Sequence, residues 1–234
     1  MKAQHQLPLD LVHRPALGRE DFLVAPSNQL AVAWIDRWPD WPGPALALHG
    51  PAGCGKSHLG QVWRAASGAI EIDAAALADQ PPPKLLGSAH AVLMEGVEDA
   101  LATGQALERE LLHLYNMVVE RRGRLLITGR RAPARWDCRL ADLGSRLAAL
   151  QSVALGAPDD ALIEAVLVKL FADRQLKVTP EVIAYLVRRM ERSFEAARRL
   201  VAAIDRTALA ARREITVPLV SEILAEPASP VENQ

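Results

Sequence analysis

Cysteine is scarce in this 234-residue chain, and no apolar stretch approaches the ~18–20 residues that cross a membrane. Only Cys54 and Cys138 occur, which excludes a disulfide framework of the kind found in small secreted domains. The first residues lead into no long apolar run, so we expect no secretory signal and a cytoplasmic protein. Half of the residues are hydrophobic, which is enough for a real core and excludes a wholly disordered chain.

Net charge is also nearly absent, at −1, so no global electrostatic attraction to nucleic acid is indicated and direct DNA contact is expected to be weak at most. The charge is unevenly placed. Residues 121–146 contain eight Arg against only Asp137 and Asp142, a local net charge of +6. This segment predicts either a solvated surface or a face that meets phosphates or an acidic partner.

Short apolar runs alternate with helical patterns in the first two thirds of the chain. These runs are residues 45–49, 69–72, 91–94 and 124–128. Such alternation predicts an α/β domain, a parallel sheet with helices on both faces, over residues 21–155. An extended tail is expected over residues 1–20.

From Gly156 onward the pattern is helical only. Pro158 is expected at the first position of one helix, and Thr179-Pro180 signals the start of a second. An Arg-rich third helix over residues 193–213 and a short fourth near Thr216 complete the pattern. We therefore predict a small all-helical domain over residues 156–226 and a flexible tail over 227–234.

One motif carries clear chemistry: Gly50-Pro51-Ala52-Gly53-Cys54-Gly55-Lys56-Ser57 matches the phosphate-binding pattern G-x-x-x-x-G-K-[ST] between a predicted strand and a predicted helix. Lys56 is expected to reach the β- and γ-phosphates, and the Ser57 hydroxyl to hold Mg²⁺. The alternative is a glycine-rich turn that only caps the helix. The expected ligand is ATP or ADP with Mg²⁺, bound by Gly50, Pro51, Ala52, Gly53, Cys54, Gly55, Lys56, Ser57 and His58.

A second metal-binding acid is expected at the end of a neighbouring strand, and Glu95 follows the run 91–94. The alternative is an ordinary surface acid. The next position, where a hydrolase usually has another acid to orient water, is Gly96. The sequence therefore predicts nucleotide binding but only weak hydrolysis.

With these parts placed, the chain resembles an AAA+ ATPase of the DnaA-related type, and within that type the Hda family, over nearly its whole length. The resemblance rests on Lys56-Ser57-His58-Leu59, on residues 22–28 and 125–130, on Asp142-Leu143-Gly144-Ser145-Arg146-Leu147, and on Ile204-Asp205-Arg206 with Ile215-Thr216-Val217-Pro218. It implies a P-loop AAA+ sheet followed by a helical lid. Residues 22–28 resemble the stretch that leads to the adenine pocket.

The resemblance also implies partners. Residues 142–147 are similar to the arginine-finger motif, so Arg146 is expected to enter the ATP site of DnaA and promote hydrolysis there. The alternative is a local pair with Asp142, four residues away. The chain stops about where the lid ends, so the DNA-binding domain of DnaA is not expected here.

The tail resembles the family's motif for the sliding clamp of DNA polymerase III, the β clamp. An extended peptide with Pro8 would place apolar side chains in a groove on the clamp. The alternative is docking on the protein's own core. The residues expected to bind the clamp are Gln6, Leu7, Leu9 and Leu11.

Two positions depart from the family pattern. Arg130 stands at the sensor-1 position, which is usually acidic or polar, and Glu195 stands where a sensor-2 Arg is usual. Sensor candidates are therefore Thr128, Arg130, Glu195 and Arg198. Three other functions stay open: a small P-loop kinase or hydrolase, a nucleotide-binding loader on single-stranded DNA, and an adaptor that bridges the clamp and a partner without stimulating hydrolysis. A homo-oligomer is also possible.

Overall fold

The computed structural model describes residues 23–102, 104–211 and 213–225. A five-stranded parallel sheet has the order β2-β3-β4-β1-β5. Its strands are β1 Ala45–His49, β2 Ile70–Glu71, β3 Ala91–Met94, β4 Arg124–Gly129 and β5 Gln151–Ala154. The predicted α/β class is confirmed.

Helices cover both faces of this sheet. They are α1 Gln29–Asp36, α2 Lys56–Ser67, α3 Ala74–Asp79, α4 Pro82–Leu86, α5 Val97–Leu101, α6 Gln105–Glu120 and α7 Ala141–Ala149. Alternate residues of β1 point to opposite faces, so Ala45 and Ala47 join one core cluster while Leu46 and Leu48 join the other. This burial on both faces explains why the strands are continuous apolar runs.

The strand register brings the carboxyl ends of the strands to one edge. His49, the last residue of β1, lies opposite Gly129 of β4 and Ala154 of β5. The segments that follow β1, β3, β4 and β5 therefore begin beside one another, at the edge where open α/β sheets bind ligands.

The helical lid follows the sheet and has its own core. Its helices are α8 Asp160–Asp173, α9 Pro180–Arg189, α10 Phe194–Ala211 and α11 Val217–Ala225. Leu167, Leu186, Val201 and Leu219 are fully buried at its centre. The predicted all-helical lid is confirmed, while its exact domain limits stay a prediction.

The start of α8 differs from the prediction. The helix begins at Asp160, not at Pro158, because the Asp159 side chain accepts the backbone N–H of Leu162 and so caps the helix two residues later. In contrast, Pro180 occupies the first turn of α9 after Thr179, as expected. In the described part of the chain, no helix is both long and apolar enough to span a bilayer.

Candidate nucleotide-binding site

The glycine loop lies between β1 and α2, at the carboxyl edge of the sheet. Gly50 donates its backbone N–H to the carbonyl oxygen of Gly129, and Leu155 donates to that of His49. A Cβ at Gly50 would collide with the Leu155 carbonyl, so the approach of β5 requires glycine here. The loop is thus built into the sheet edge.

The first turn of α2 presents backbone donors to this loop. Gly55 precedes the helix with a φ of 103° and makes no side-chain cap. The first backbone hydrogen bond across the helix start runs from Leu59 to Gly55. The first N–H groups of an α-helix point away from its ladder of hydrogen bonds, which is the arrangement that binds phosphate at helix N-termini.

Lys56 folds back across the loop. Its Nζ donates to the carbonyl oxygens of Gly50 and Pro51, at 2.8 Å each, and lies 3.7 Å from the Cys54 Sγ. Burial raises the pKa of the Cys54 thiol, an effect that the charge of Lys56 partly opposes. Cys54 is therefore a neutral packing residue inside a loop whose positive charge comes from Lys56.

Ser57 and Glu95 provide the oxygen atoms expected for Mg²⁺. Glu95 follows β3, and its carboxylate lies 3.7 Å from the point where a Cβ on Gly60 would stand. Ser57 is one turn before Gly60 on the same helix, so both residues belong to the part of the chain around the start of α2. Mg²⁺ binds through one or two protein oxygens together with phosphates, so these residues fit Mg²⁺ with ATP or ADP.

Clusters of metal-binding side chains are absent from the part of the chain that the structure describes. Within the described residues, no group of three or more His, Cys, Asp or Glu side chains is placed to hold a metal ion.

The ends of β3 and β4 are tied together. Thr128 is buried, and its Oγ1 accepts the backbone N–H of Gly96 at 3.0 Å. Gly96, with a φ of 62°, immediately precedes α5 and has no side chain to orient a water molecule. Arg130 is exposed, and its Nε lies 3.5 Å from a carboxylate oxygen of Asp99. Thr128 and Arg130 thus lie near the same edge, but Arg130 is engaged by an acid.

Glu98 holds together the residues that follow β4, a role that the sequence does not predict. Its carboxylate accepts the backbone N–H groups of Arg130 and Arg131, at 2.7 Å each, and pairs with the Arg131 guanidinium. Burial would raise the pKa of Glu98, but the hydrogen bonds from Arg131 and Arg130 outweigh it and bring the pKa below its ordinary value. The ionised carboxylate holds the turn after β4 in place.

The pKa of His49 is lowered by its position at the carboxyl edge of the sheet. Burial lowers the pKa of His49, the charges of Arg135 and Lys56 lower it further, and only Glu98 opposes them. A neutral imidazole is therefore favoured immediately before the glycine loop.

The lid touches the phosphate loop directly. Phe194 donates its backbone N–H to the carbonyl oxygen of Gly53 at 2.9 Å. Ser193 is buried beside this bond, and its hydroxyl accepts the N–H of Ala196 as the cap of α10. A Cβ at Gly53 would lie only 2.5 Å from that of Ser193. The sequence predicts a helix that starts near Ser193, but the contact of this helix start with Gly53 has no sequence pattern by which it could be predicted.

The sensor-2 candidates lie on the first two turns of α10. Glu195 follows Phe194 and is exposed, with its carboxylate 3.5 Å from Arg199. Arg198 lies one turn further along α10 and is also exposed. The structure thus brings position 195 close to the phosphate loop, while its side chain is paired within the helix.

The stretch that resembles the leader to the adenine pocket is held by Asn28. Asn28 is buried; its side chain accepts the N–H of Ala25 and donates to the carbonyl of Leu23, both at 2.9 Å. The carbonyl of Ser27 accepts the N–H of Gly156 at 2.8 Å, at the start of the link to the lid. The segment therefore joins the sheet domain to the lid.

Arg146 lies near the end of α7, away from the glycine loop in sequence. Its Nε and Nη2 donate to the two carboxylate oxygens of Asp142, at 3.1 and 3.4 Å. Its guanidinium carbon is 5.5 Å from the centre of the Tyr115 ring. The local pair considered from the sequence is present, and the arginine-finger role stays a prediction. The proposed clamp-binding residues Gln6, Leu7, Leu9 and Leu11 lie outside the described residues.

Known proteins share this fold and this lid. A family model described as "Hda, lid domain" matches residues 160–224. Domain III of the replication initiation protein DnaA from Thermotoga maritima superposes with a TM-score of 0.76 and 17% identity, over 92% of this chain and 99% of that one. DnaA from Aquifex aeolicus bound to AMPPCP gives a TM-score of 0.67 and 18% identity, over 84% and 66%.

A further similar structure is the replication initiator DnaA bound to AMPPCP and single-stranded DNA, with a TM-score of 0.68, 17% identity and coverage of 85% of this chain and 69% of that one. The identities show a common fold, and the family match covers the lid. The lid, over residues 160–224, thus matches the Hda lid family, and the chain as a whole shares the fold of DnaA domain III.

Proposed function

We propose that this protein inactivates DnaA by promoting hydrolysis of the ATP bound to it, with Arg146 as an arginine finger in trans. The match of residues 160–224 to the Hda lid family supports a role in DnaA inactivation. The observation that supports the finer proposal is the state of Arg146. Its side chain is 36% exposed and is held only by an exposed carboxylate and a ring face in the described structure.

Such contacts are easily exchanged. An exposed ion pair between residues four apart on a helix contributes about 0.3–0.5 kcal/mol. A phosphoryl group in its transition state offers more charge and a fork-shaped set of oxygens to the same guanidinium. Arginine fingers supplied in this way raise hydrolysis by about 10³–10⁵-fold. Arg146 can therefore leave Asp142 for the nucleotide of a partner.

The chain's own nucleotide has a different part in the proposal. ATP or ADP with Mg²⁺ binds the loop of residues 50–57, where Lys56 and the first turn of α2 meet phosphate and Ser57 and Glu95 meet the metal. Since α10 begins on Gly53, nucleotide in the loop orders the lid against the sheet. Gly96, Arg130 and Glu195 stand where a hydrolase keeps its catalytic groups, so turnover on this chain itself is expected to be weak.

The N-terminal segment is proposed to bring the protein to the site of DNA replication. Gln6, Leu7, Leu9 and Leu11 are proposed to dock on the β sliding clamp, which would bring Arg146 to DnaA on replicating DNA. The alternative of a single-stranded-DNA loader is weakened by the pairing of the Arg-rich segment. Arg130 and Arg131 are engaged by Asp99 and Glu98, which reduces the charge left for phosphates.

The experiment measures ATP hydrolysis by DnaA with clamp loaded on DNA, with and without this protein. We expect stimulation by the native protein, its loss in Arg146→Ala, and no change in Arg188→Ala, which removes an exposed Arg from the lid. Stimulation that survives in Arg146→Ala contradicts the finger. If the native protein gives no stimulation, the adaptor or loader function becomes the better interpretation.

A further inference from the structure

One buried acid lies outside the nucleotide site. Glu108 is a residue of α6 with only 1% of its surface exposed. Its carboxylate accepts the backbone N–H of Leu140 at 2.7 Å and that of Arg139 at 3.1 Å, and the Cys138 thiol lies 3.7 Å away. These three residues lead directly into α7, the helix that carries Arg146.

Glu108 of α6 provides a hydrogen-bond acceptor at the start of α7, where the helix has no side-chain cap of its own. The N-cap residue of α7 is Leu140, whose side chain cannot accept a hydrogen bond. A helix start leaves N–H groups without intrahelical acceptors and carries a partial positive charge. The carboxylate of Glu108 accepts the N–H of the N-cap residue Leu140 and places a negative charge beside this helix start, so the start of α7 is fixed to α6.

Tyr115 provides a second point of attachment on the same face of α6. It follows Glu108 by seven residues, which is about two turns or ~10.5 Å along the helix. Its ring lies beneath the guanidinium of Arg146, within the ~6 Å range of a cation–π contact. Arg146 follows Leu140 by six residues, or ~9 Å along α7. The spacings match, so the two helices run side by side and in the same direction.

Apolar contacts fill the space between these two points. Leu143 and Leu147 of α7 are buried in the same cluster as Leu107, Leu111 and Leu114 of α6. The helix that carries Arg146 is therefore held at its start by a charged hydrogen-bond acceptor, along its length by leucines, and near its end by an aromatic ring.

We propose that Glu108 and Tyr115 are positioning residues that set the direction of Arg146 for its action in trans. The proposal rests on the finger function proposed above. Displacement of a reacting group by about 1 Å can lower a rate by ~10²-fold, so loss of either support reduces stimulation more than it reduces binding to DnaA.

The variants are Glu108→Ala, Glu108→Gln, Tyr115→Ala and Tyr115→Phe. Glu120→Gln, an exposed site at the end of α6, is the matched control. Stimulation of DnaA hydrolysis is measured over a range of protein concentrations, to separate the saturating rate from the half-saturating concentration. We expect Glu108→Ala and Tyr115→Ala to lower the saturating rate by about tenfold to a hundredfold with little change in half-saturation.

The conservative variants test the chemistry. Glu108→Gln keeps one acceptor oxygen and is expected to retain an intermediate rate, and Tyr115→Phe keeps the ring and the native rate. If Glu108→Ala does not fold, these variants and Tyr115→Ala still decide the question. A rate unaffected by both Tyr115→Ala and Glu108→Gln, or a loss explained entirely by weaker binding, overturns the proposal.

A second measurement needs no DnaA. Hydrogen exchange of the Arg139 and Leu140 amides is expected to accelerate in Glu108→Gln and not in Glu120→Gln. The NMR signal of the Arg146 Nε–H, shifted by the ring of Tyr115, is expected to move in Glu108→Gln and in Tyr115→Ala. If the native protein does not stimulate DnaA, the finger function fails, but these two signals still test whether Glu108 and Tyr115 hold Arg146 in place. Signals that stay unchanged in the variants would overturn the positioning role of Glu108 and Tyr115.

Discussion

The backbone N–H of Phe194 donates to the carbonyl oxygen of Gly53 at 2.9 Å, so the first residue of the lid helix α10 is in direct contact with the phosphate loop. A ligand that orders the loop therefore acts on the lid through a direct contact. Movement of the lid away from the sheet at this point would break this bond.

Gly53→Ala tests that contact. Gly53 has a φ of 69°, and an added Cβ would meet the Cβ of Ser193 at 2.5 Å. The positive φ alone costs about 1–2 kcal/mol for a residue with a Cβ. We expect a larger loss of unfolding free energy than this and a fall in ADP affinity of about tenfold or more, which is ~1.4 kcal/mol.

Gly68→Ala is the control for backbone strain, because Gly68 has a φ of 67° and nothing within 4 Å of an added Cβ. Denaturant unfolding and ADP titration compare the two variants. Equal losses of stability together with unchanged ADP affinity would show that the Ser193 contact is easily relieved.

Lys56→Ala is expected to abolish nucleotide binding. Its Nζ is the cation that the loop holds between the carbonyls of Gly50 and Pro51, where phosphate is expected. ADP at 100 times its Kd stabilises a protein by about 2.7 kcal/mol. Thermal unfolding with and without Mg-ADP should show this stabilisation in the native protein and in Lys84→Ala, but not in Lys56→Ala. Stabilisation of Lys56→Ala by ADP would contradict the site.

Asp142→Asn is expected to free Arg146 without harming the fold. The pair is exposed, so the unfolding free energy should change by less than about 1 kcal/mol. Because Asp142 competes with phosphate for the guanidinium, stimulation of DnaA should be equal to or greater than that of the native protein. Asp173→Asn, which breaks a comparable pair with Lys169 on α8, is the control. Loss of stimulation in Asp142→Asn alone would mean that Asp142 orients the finger rather than holding it back.

His49 should titrate below its ordinary value of 6.5 in the folded protein. Because the unfolded chain binds this proton more readily, His49 contributes stability above pH 6.5 that is lost as the pH falls toward its folded-state pKa. Arg135→Ala removes a charge that lowers the pKa of His49 and should raise it. Arg188→Ala, in the lid, should leave it unchanged. NMR titration of the imidazole gives the values, and a pKa at or above 6.5 in the native protein would refute the expectation.

Cys138 should react slowly with alkylating reagents near neutral pH. Burial raises the pKa of its thiol, and the carboxylate of Glu108 raises it further. Glu108→Gln removes that negative charge, so the thiolate fraction and the alkylation rate at a fixed pH should increase. Cys54, whose thiol pKa is raised by burial, is the internal control when both sites are followed by mass spectrometry. Equal acceleration at both cysteines would indicate general loosening instead.

The sequence predicts what depends on contiguous residues. Four of the five strands, the glycine loop and the four lid helices each have a pattern that is complete within a short window. The edge strand β5 has only Val153 buried, and so it gives no apolar run to detect. The roles of Glu98 and Glu108 are hidden for another reason. Each binds backbone N–H groups more than 30 residues away, and an amide donor has no residue type to recognise.

The sheet domain and the lid are joined in part by main-chain hydrogen bonds. The N–H of Phe194 donates to Gly53 in the phosphate loop, and the N–H of Gly156 donates to Ser27 in the segment before α1. Main-chain donors and acceptors are present whatever the side chain. Side chains around this joint can therefore be substituted without removing its hydrogen bonds, provided that position 53 stays glycine, because a Cβ there would collide with Ser193. The connection between sheet and lid thus depends on the course of the backbone more than on the identity of the side chains around it.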